Sequence, residues 1–309
     1  MPVNPFPSLM LASVLLLAGC ALPRPTAPPA ALACGLERFE VHDIYQDLGI
    51  YKARQFQAFG LQDPKPSINV LALSAGGEYG AYGAGFISGW SAVGSSAVPS
   101  PRADIQIVTG VSTGAILATH VFLGKDAEIE RLYRRMSGPV IYQPRARLEL
   151  LWSNSLLDTR GKNALIEENL GSEMIDEVAR AGDGRYLYIG VVDLDSGRFL
   201  RIDMVKLART IEAKPLRDAC FREVIGASSA IPIAFVPKFI DNRMLVDGGA
   251  RRHLFITALP EDALDDKVER RLFMLVHGDL AVECTTTPNG LLDIAGRTAE
   301  LITDQGFKD

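Results

Sequence analysis

One short stretch of the chain constrains the fold more than any other. Residues 105–117 read IQIVTGVSTGAIL, an apolar and largely β-branched run followed by a serine between two glycines and then by helix formers. This order predicts a buried strand, a sharp turn and a helix, with Ser112 at the turn. The turn fits the Gly-x-Ser-x-Gly nucleophile elbow, in which the serine backbone is strained. Glycine is then expected at positions 110 and 114, because the strand and the helix approach each other there too closely for a side chain.

An elbow of this kind would lift the Ser112 hydroxyl above the edge of a sheet, beside the N-terminus of the following helix. Helix N-termini favour developing negative charge, so a serine there is a candidate nucleophile. The alternative is an ordinary strand-to-helix turn in which Ser112 caps the helix. The pentapeptide alone does not separate the two interpretations, because glycine and serine are common residues.

A second strand–turn–helix unit lies about thirty residues before the elbow, a natural length for a crossover between parallel strands. Residues 67–74 read as a strand, and a glycine-rich turn follows. Gly76 and Gly77, with Glu78 after them, would let backbone N–H groups converge on one space, as an oxyanion hole requires. A dinucleotide-binding loop is the alternative. Two features argue against this alternative: Ala75 replaces the first glycine of the dinucleotide-binding motif, and no strand ending in an acidic residue follows at the expected distance.

A third motif, Asp247-Gly248-Gly249, follows the predicted strand at residues 243–246. A serine hydroxyl is a poor nucleophile until a neighbouring base takes its proton. A partly desolvated carboxylate has a raised pKa and is a better base than a free aspartate. Asp247 is therefore a candidate general base, and the alternative is an aspartate that only shapes a turn before two glycines.

In order along the chain, these motifs resemble those of the patatin-like phospholipase family. The family pattern is Gly-Gly-x-Arg-Gly, then Gly-x-Ser-x-Gly, then Asp-Gly-Ala or Asp-Gly-Gly, and this chain has GGEYG, GVSTG and DGG. Residues 227–232, ASSAIP, are similar to the Ala-Ser-x-Ala-x-Pro stretch of the family. The resemblance covers about residues 68–254. Two departures are Ala75, where the family often has glycine, and Tyr79, where it usually has arginine or lysine.

The resemblance implies a three-layer α/β/α fold with a central, mostly parallel sheet. It also implies hydrolysis of acyl esters, commonly of phospholipids, through an acyl-enzyme and without a metal or other cofactor. Carried over residue by residue, Ser112 would be the nucleophile and Asp247 its base. The oxyanion donors would be Gly76, Gly77 and Glu78, and the remaining motif glycines are Gly80, Gly110, Gly114, Gly248 and Gly249.

Two other functions compete with this interpretation. A Ser-His-Asp hydrolase of the α/β-hydrolase type would use Ser112, Asp247 and His277 in that chain order, with His253 as a second candidate histidine. His120 is excluded, because eight helical residues after Ser112 place it ~12 Å along the axis. The other alternative is a lipoprotein that keeps the fold but acts as a scaffold without turnover.

The N-terminus predicts export and lipidation. Leu9 to Ala18 is an apolar run of signal-peptide length. It ends in the LAGC box, Leu17 to Cys20, which resembles the lipobox of bacterial lipoproteins. The first eight residues lack the lysine or arginine that is usual in a signal peptide. We expect a signal peptide at 1–19, a lipid-bearing Cys20 that anchors the protein to a membrane, and a Pro/Ala-rich tether at 20–35. Ala21 is not acidic, which favours the outer membrane of a bacterial cell envelope.

The rest of the chain divides into a helical segment at 36–66, a catalytic domain at 67–260, and a C-terminal strand and helix at 261–309. Within the catalytic domain, a helix from residue 216 is expected to end at Gly226. The net charge of −5 and the lack of a concentrated basic face argue against nucleic acid as a partner. Four scattered cysteines and four scattered histidines argue against a zinc site. Export would permit disulfides, but spacing does not say which of Cys34, Cys220 and Cys284 pair.

Overall fold

The structure is a computed structural model that describes residues 32–41, 67–92, 105–135, 143–146, 149, 153–256 and 269–278, with short pieces between 284 and 301. The predicted signal peptide, Cys20 and most of the predicted helical segment at 36–66 lie outside the described residues. From that segment, residues Leu36–Arg38 form one 3-10 turn, and Glu40 bridges to Ile202.

Seven of the described strands form one mixed sheet. The strands in chain order are β1 Ser67–Leu73, β2 Ile105–Val111, β3 Gln143–Pro144, β4 Leu157–Asp158, β5 Tyr186–Asp193, β6 Arg198–Asp203, β7 Lys238–Ile240, β8 Arg243–Asp247 and β9 Glu269–Leu275. β9, β1, β2 and β5 run parallel side by side. β6 and β8 are antiparallel to β5, and β7 is antiparallel to β8. β3 and β4 form a separate two-stranded ribbon.

The described helices are α1 Gly80–Ala92, α2 Thr113–Leu123, α3 Asp126–Arg135, α4 Arg160–Asn169, α5 Ser172–Ala181, α6 Met204–Thr210 and α7 Lys214–Ser228. Within the part of the chain that the structure describes, none of the helices is long and apolar enough to cross a bilayer. α2 carries no Asp, Glu, Lys or Arg, and its first ten residues are buried.

The sheet buries side chains on both faces, as parallel sheets do. Leu73 and Val108 belong to a large core that includes residues of α2, α5 and α7, whereas Val70 and Ile107 belong to a smaller cluster on the opposite face with Phe255. Successive residues of one strand point to opposite faces, so the nearly continuous apolar runs of β1 and β2 supply both clusters. A mostly parallel sheet flanked by helices confirms the α/β/α fold that the sequence predicts.

The C-terminal ends of β2 and β8 meet beside the elbow. β2 pairs with β5 as far as Gly190, which lies opposite Val111, and the next residue of β5, Val191, lies opposite Asp247 at the end of β8. β6 pairs with residues 188–193 of β5. Because a strand has only two edges, β2 and β8 must share the other one, and their C-terminal ends meet there. The residue after β2 is therefore a neighbour of Asp247.

The predicted end of one helix is wrong. α7 continues through Gly226 and ends at Ser228. A glycine inside a helix costs about 1 kcal/mol relative to alanine. The residues that follow Gly226 are nevertheless held in place, because Ser228 is fully buried and its hydroxyl donates to the Gly190 carbonyl at 2.7 Å. Tertiary contacts therefore outweigh the local preference of Gly226.

The predicted tether also ends earlier than expected, because residues 32–35 pack against the domain. Cys34 is fully buried and forms a disulfide with Cys220 of α7. The amides of Gly35 and Leu36 donate to the carboxylate of Asp241 at 2.9 and 2.5 Å. The sequence left this cysteine pairing open, because the two residues lie 186 positions apart and only the fold brings them together.

The disulfide leads to a stability prediction. Cys220→Ser should lower the free energy of unfolding by about 2–4 kcal/mol in denaturant titrations under oxidising conditions, because a cross-link over a long loop restricts the unfolded chain. Dithiothreitol should have the same effect on the wild type and none on the variant. Cys284→Ser is the control, since this exposed cysteine is unpaired. Equal stability of the Cys220→Ser variant and the wild type would contradict the prediction.

Candidate active site

Ser112 occupies a strained turn between β2 and α2. Its backbone has φ 55° and ψ −119°, a conformation that costs a non-glycine residue about 1–3 kcal/mol. Hydrogen bonds to other elements hold the turn: the Ser112 amide donates to Ser228 Oγ at 3.0 Å, and the Gly114 amide donates to the Ser74 carbonyl at 3.2 Å. Tyr133 of α3 also donates its hydroxyl to the Thr113 carbonyl at 3.2 Å. The fold thus holds the serine in a conformation that it would not adopt alone.

The two elbow glycines lie where no side chain fits. A Cβ on Gly110 would come within 2.6 Å of the Gly114 carbonyl oxygen, and a Cβ on Gly114 would lie 2.4 Å from the carbonyl oxygen of Leu73. These neighbours are backbone atoms of adjacent elements, so they cannot move aside as a flexible side chain could. β1, β2 and α2 can pack this closely only because both positions are glycine.

The Ser112 hydroxyl donates directly to Asp247, with 2.5 Å between Oγ and Oδ2. The other carboxylate oxygen accepts from the Gly249 amide at 2.7 Å. Both side chains are buried, with 4% of Ser112 and 1% of Asp247 exposed. Gly248 is needed for this approach, because a Cβ there would lie 2.6 Å from the Gly190 carbonyl oxygen. The structure therefore brings the predicted nucleophile and the predicted base into contact.

The environment of Asp247 makes its carboxylate a stronger base. Burial raises the pKa of Asp247 from 3.8 to about 6, because charge is poorly stabilised away from water. The hydrogen bonds from Ser112 and Gly249 and the positive charge of Lys162 act in the opposite direction, but burial dominates. A base with a pKa near the working pH suits general base catalysis. At neutral pH this carboxylate is mostly ionised and can still accept a proton.

The predicted oxyanion loop lies at the same end of the sheet as the elbow, since the C-terminal end of β1 pairs with that of β2 through Leu73 and Gly110. The loop approaches the Asp247 turn, because a Cβ on Gly249 would lie 3.3 Å from the Cβ of Ala75. Gly77 has φ 52°, a left-handed conformation that favours glycine. A Cβ on Gly76 would lie 1.9 Å from the backbone oxygen of His277, so the chain can pass there only as glycine.

Several backbone amides remain available beside the serine. Among the described residues, no hydrogen-bond acceptor faces the amides of Gly76, Gly77 and Glu78, nor that of Thr113 after the serine. Such amides at the start of helical turns can stabilise an anion. The first three are the donors that the sequence predicts, whereas Thr113 was not predicted, although the residue after an elbow serine commonly supplies an oxyanion amide.

The structure does not place the candidate histidines in a triad. The ring of His277 has Nδ1 2.7 Å from the Ser74 carbonyl oxygen, and its Nε2 lies over Gly83 of α1. Burial lowers the pKa of His253 to about 4. An Oγ to Oδ2 distance of 2.5 Å leaves no room for an imidazole between serine and aspartate. The Ser-His-Asp alternative thus lacks its central contact.

Sequence reasoning missed two side chains that hold this site. Ser228 Oγ accepts a hydrogen bond from the Ser112 amide. The sequence predicts a helix that ends at Gly226, so it does not place Ser228 in a helix. Lys162 is 2% exposed and lies behind the site on α4. Its position was detectable, since a lysine at helical spacing from Leu165 and Ile166 stands on an otherwise apolar helix face.

A family model for patatin-like phospholipases matches residues 71–260, more than half of the chain. The chain belongs to the patatin-like phospholipase family. The crystal structure of VipD from Legionella pneumophila aligns with a TM-score of 0.40 and 16% identity, covering 77% of this chain and 53% of that chain. The present chain thus spans about half the length of VipD. No curated protein matches the chain.

Neither of the two departures from the family pattern removes a backbone N–H from the loop of this patatin-like chain. Ala75 does not have a positive φ, so the site does not need glycine there. Its amide donates to the His253 carbonyl at 2.7 Å, which holds the start of the loop. Tyr79 is 47% exposed, so the usual family cation is replaced here by an aromatic side chain at the surface.

Proposed function

We propose that this member of the patatin-like family hydrolyses carboxylic esters of lipids, phospholipids among them, through a Ser112–Asp247 dyad and an acyl-enzyme. The observation that carries the proposal is the direct hydrogen bond between a strained elbow serine and a buried carboxylate whose pKa is raised to about 6. Family membership supports the lipid ester as substrate. Neither the formation nor the hydrolysis of the acyl-enzyme requires a histidine.

In the first half-reaction, Ser112 Oγ attacks the ester carbonyl carbon and its proton passes to Asp247 Oδ2. The resulting oxyanion accepts hydrogen bonds from the amides of Gly76, Gly77 and Glu78, each such donor contributing on the order of 3 kcal/mol. Collapse breaks the bond to the leaving alcohol, which takes the proton from Asp247. The acyl group is then esterified to Ser112.

In the second half-reaction, water attacks the acyl-enzyme and gives a proton to Asp247. The second tetrahedral intermediate uses the same backbone amides. Its collapse breaks the bond to Ser112 Oγ, which recovers its proton from Asp247, and the free fatty acid leaves. The carboxylate therefore returns to its ionised state after each half-reaction, which a pKa near 6 permits at neutral pH.

The surface next to the oxyanion loop favours a lipid over a small water-soluble ester. Tyr79, Tyr82 and Phe86 are 47%, 62% and 46% exposed, and α1, which carries the last two, has no charged residue along its length. Adjacent exposed apolar side chains, such as Tyr82 and Phe86 with ring centres 6.4 Å apart, form the kind of contiguous surface that contacts an apolar partner or ligand. Their position directly after the loop places an apolar surface beside the site. The scaffold alternative has no comparable support, because the dyad is intact.

The dyad is tested by variants and by the pH profile. Asp247→Asn should lower kcat/KM for a phospholipid in vesicles and for a short-chain p-nitrophenyl ester by at least about 10²-fold, the usual contribution of a general base. His277→Gln should lower it well under tenfold. The wild type should lose activity as pH falls through about 6, because protonated Asp247 cannot accept the serine proton.

The control for this test is the fold of each variant, followed by circular dichroism and thermal unfolding. A folded His277→Gln variant as inactive as Ser112→Ala would replace the dyad with a triad, since members of a catalytic unit are lost together. Full activity of a folded Asp247→Asn variant would equally remove Asp247 from the mechanism.

We further propose that the enzyme is a lipid-anchored protein of the bacterial cell envelope, on the outer membrane. The LAGC box ending at Cys20 and the proline-rich stretch after it support this location. Cys20→Ser in the full chain should leave the protein unprocessed or release it from the membrane fraction after cell lysis. A mature N-terminus elsewhere, or an unmodified one in mass spectra of the wild type, would contradict it.

A further inference from the structure

The ammonium group of Lys162 closes the C-terminal end of α7. Its Nζ lies 2.6 Å from the carbonyl oxygen of Ser229, 3.3 Å from the hydroxyl of Ser229 and 3.4 Å from the carbonyl oxygen of Gly226. It also lies 4.5 Å from the ring centre of Phe235. The last carbonyls of a helix lack partners within it and carry partial negative charge, so a cation there is stabilised.

The segment that Lys162 holds contacts both members of the dyad. Ser228 Oγ accepts from the Ser112 amide at 3.0 Å, and the Ala230 carbonyl accepts from the Asp247 amide at 3.0 Å. Ser229, which Lys162 binds, lies between these two residues. A shift of residues 228–230 would therefore move the nucleophile and the base relative to each other. Small errors in such geometry are costly, since a 1 Å displacement can reduce a rate about 10²-fold.

The charges around Lys162 connect it to Asp247 as well. Burial lowers the pKa of Lys162 to about 7, and the nearby charge of Lys238 on β7 acts in the same direction. Asp247 and Glu223 raise it, and Glu223 is paired with Lys238 at 2.8 Å. The influence is mutual, because the positive charge of Lys162 lowers the pKa of Asp247.

An apolar side chain at position 162 would fill this space without the cost of burying a charge. Burial of an ammonium group is unfavourable unless hydrogen bonds and opposite charge compensate for it. Here three oxygen atoms of Gly226 and Ser229 and the ring of Phe235 do so, and Ser229 lies between the two residues that contact the dyad. The lysine is thus matched to the site rather than to the core of α4.

We propose that Lys162 is a positioning residue of the hydrolase, which fixes residues 228–230 against the dyad and supplies a nearby positive charge. The proposal rests on the proposed function for its effect on turnover. It is independent of that function for its effect on the carboxylate, so the two can fail separately.

The test compares Lys162→Met with the wild type and with Lys214→Met, a matched control. Lys214 is the first residue of α7, the helix whose C-terminal end Lys162 contacts. It is exposed and pairs with Asp176 at 2.7 Å, far along α7 from the site. Lys162→Met should lower kcat about tenfold or more, with little change in KM. It should also move the acidic limb of the pH profile upward by at least about half a pH unit, because the lost positive charge no longer favours ionised Asp247.

Carbon-13 NMR of the Asp247 carboxyl group measures the pKa of that group without turnover, and this pKa should rise in Lys162→Met as the acidic limb does. Lys162→Arg, which keeps a cation, should leave the carboxyl titration near its wild-type position. If Lys162→Met does not fold, Lys162→Gln supplies a neutral side chain with a polar head group for the same comparison. The fold of each variant is monitored by circular dichroism and thermal unfolding.

A folded neutral variant with wild-type kcat and an unmoved Asp247 titration would overturn the proposal. Loss of kcat without any movement of that titration would also overturn it, because a packing defect alone would explain the loss. If the wild type hydrolyses no lipid or soluble ester while the Asp247 titration still moves in the variant, the proposed function fails and the coupling of Lys162 to Asp247 stands.

Discussion

The site depends on one contact, the hydrogen bond from Ser112 to the buried carboxylate of Asp247. These residues lie 135 positions apart in the chain, and the sheet brings them together. β2 and β8 pair with the same edge of β5 from opposite directions, so Ser112 at the end of one strand meets Asp247 at the end of the other. A strand pairing that shifted either strand by one residue would point its side chains to the opposite face and separate the pair.

Burial of Asp247 has opposite effects on chemistry and on stability. A carboxylate withdrawn from water is a better base, but its ionised form is less stable in the fold. The Ser112 hydroxyl, the Gly249 amide and the charge of Lys162 each offset part of that cost. The balance leaves the pKa at about 6, high enough for proton transfer and low enough for ionisation at neutral pH. Other elements, such as the strained elbow and the short contacts at Gly110 and Gly114, keep the serine within reach of this carboxylate.

The sequence predicted the local features of the site well, because they are encoded by residues close together. The β-branched run before Gly110 specifies a buried strand, and the glycines specify close packing. The family resemblance supplied Asp247 as the partner of Ser112. Sequence alone did not indicate the pairing of Cys34 with Cys220 or the role of Ser228, because each depends on which distant elements pack together. Lys162 stands out on an apolar helix face, but its contacts with the end of α7 also depend on that packing. The end of α7 was wrong for the same reason, since contacts of Ser228 outweigh the helix-ending tendency of Gly226.

The most direct test of the account is the covalent intermediate on Ser112. The wild type is mixed at neutral pH with p-nitrophenyl butyrate, whose good leaving group makes acylation faster than deacylation. The mixture is quenched in acid within the first turnover and analysed by mass spectrometry. The account predicts a butyryl group on the peptide that contains Ser112, a matching burst of p-nitrophenol, and neither signal in Ser112→Ala. Turnover with no acylated peptide, or with the acyl group on another residue, would contradict it.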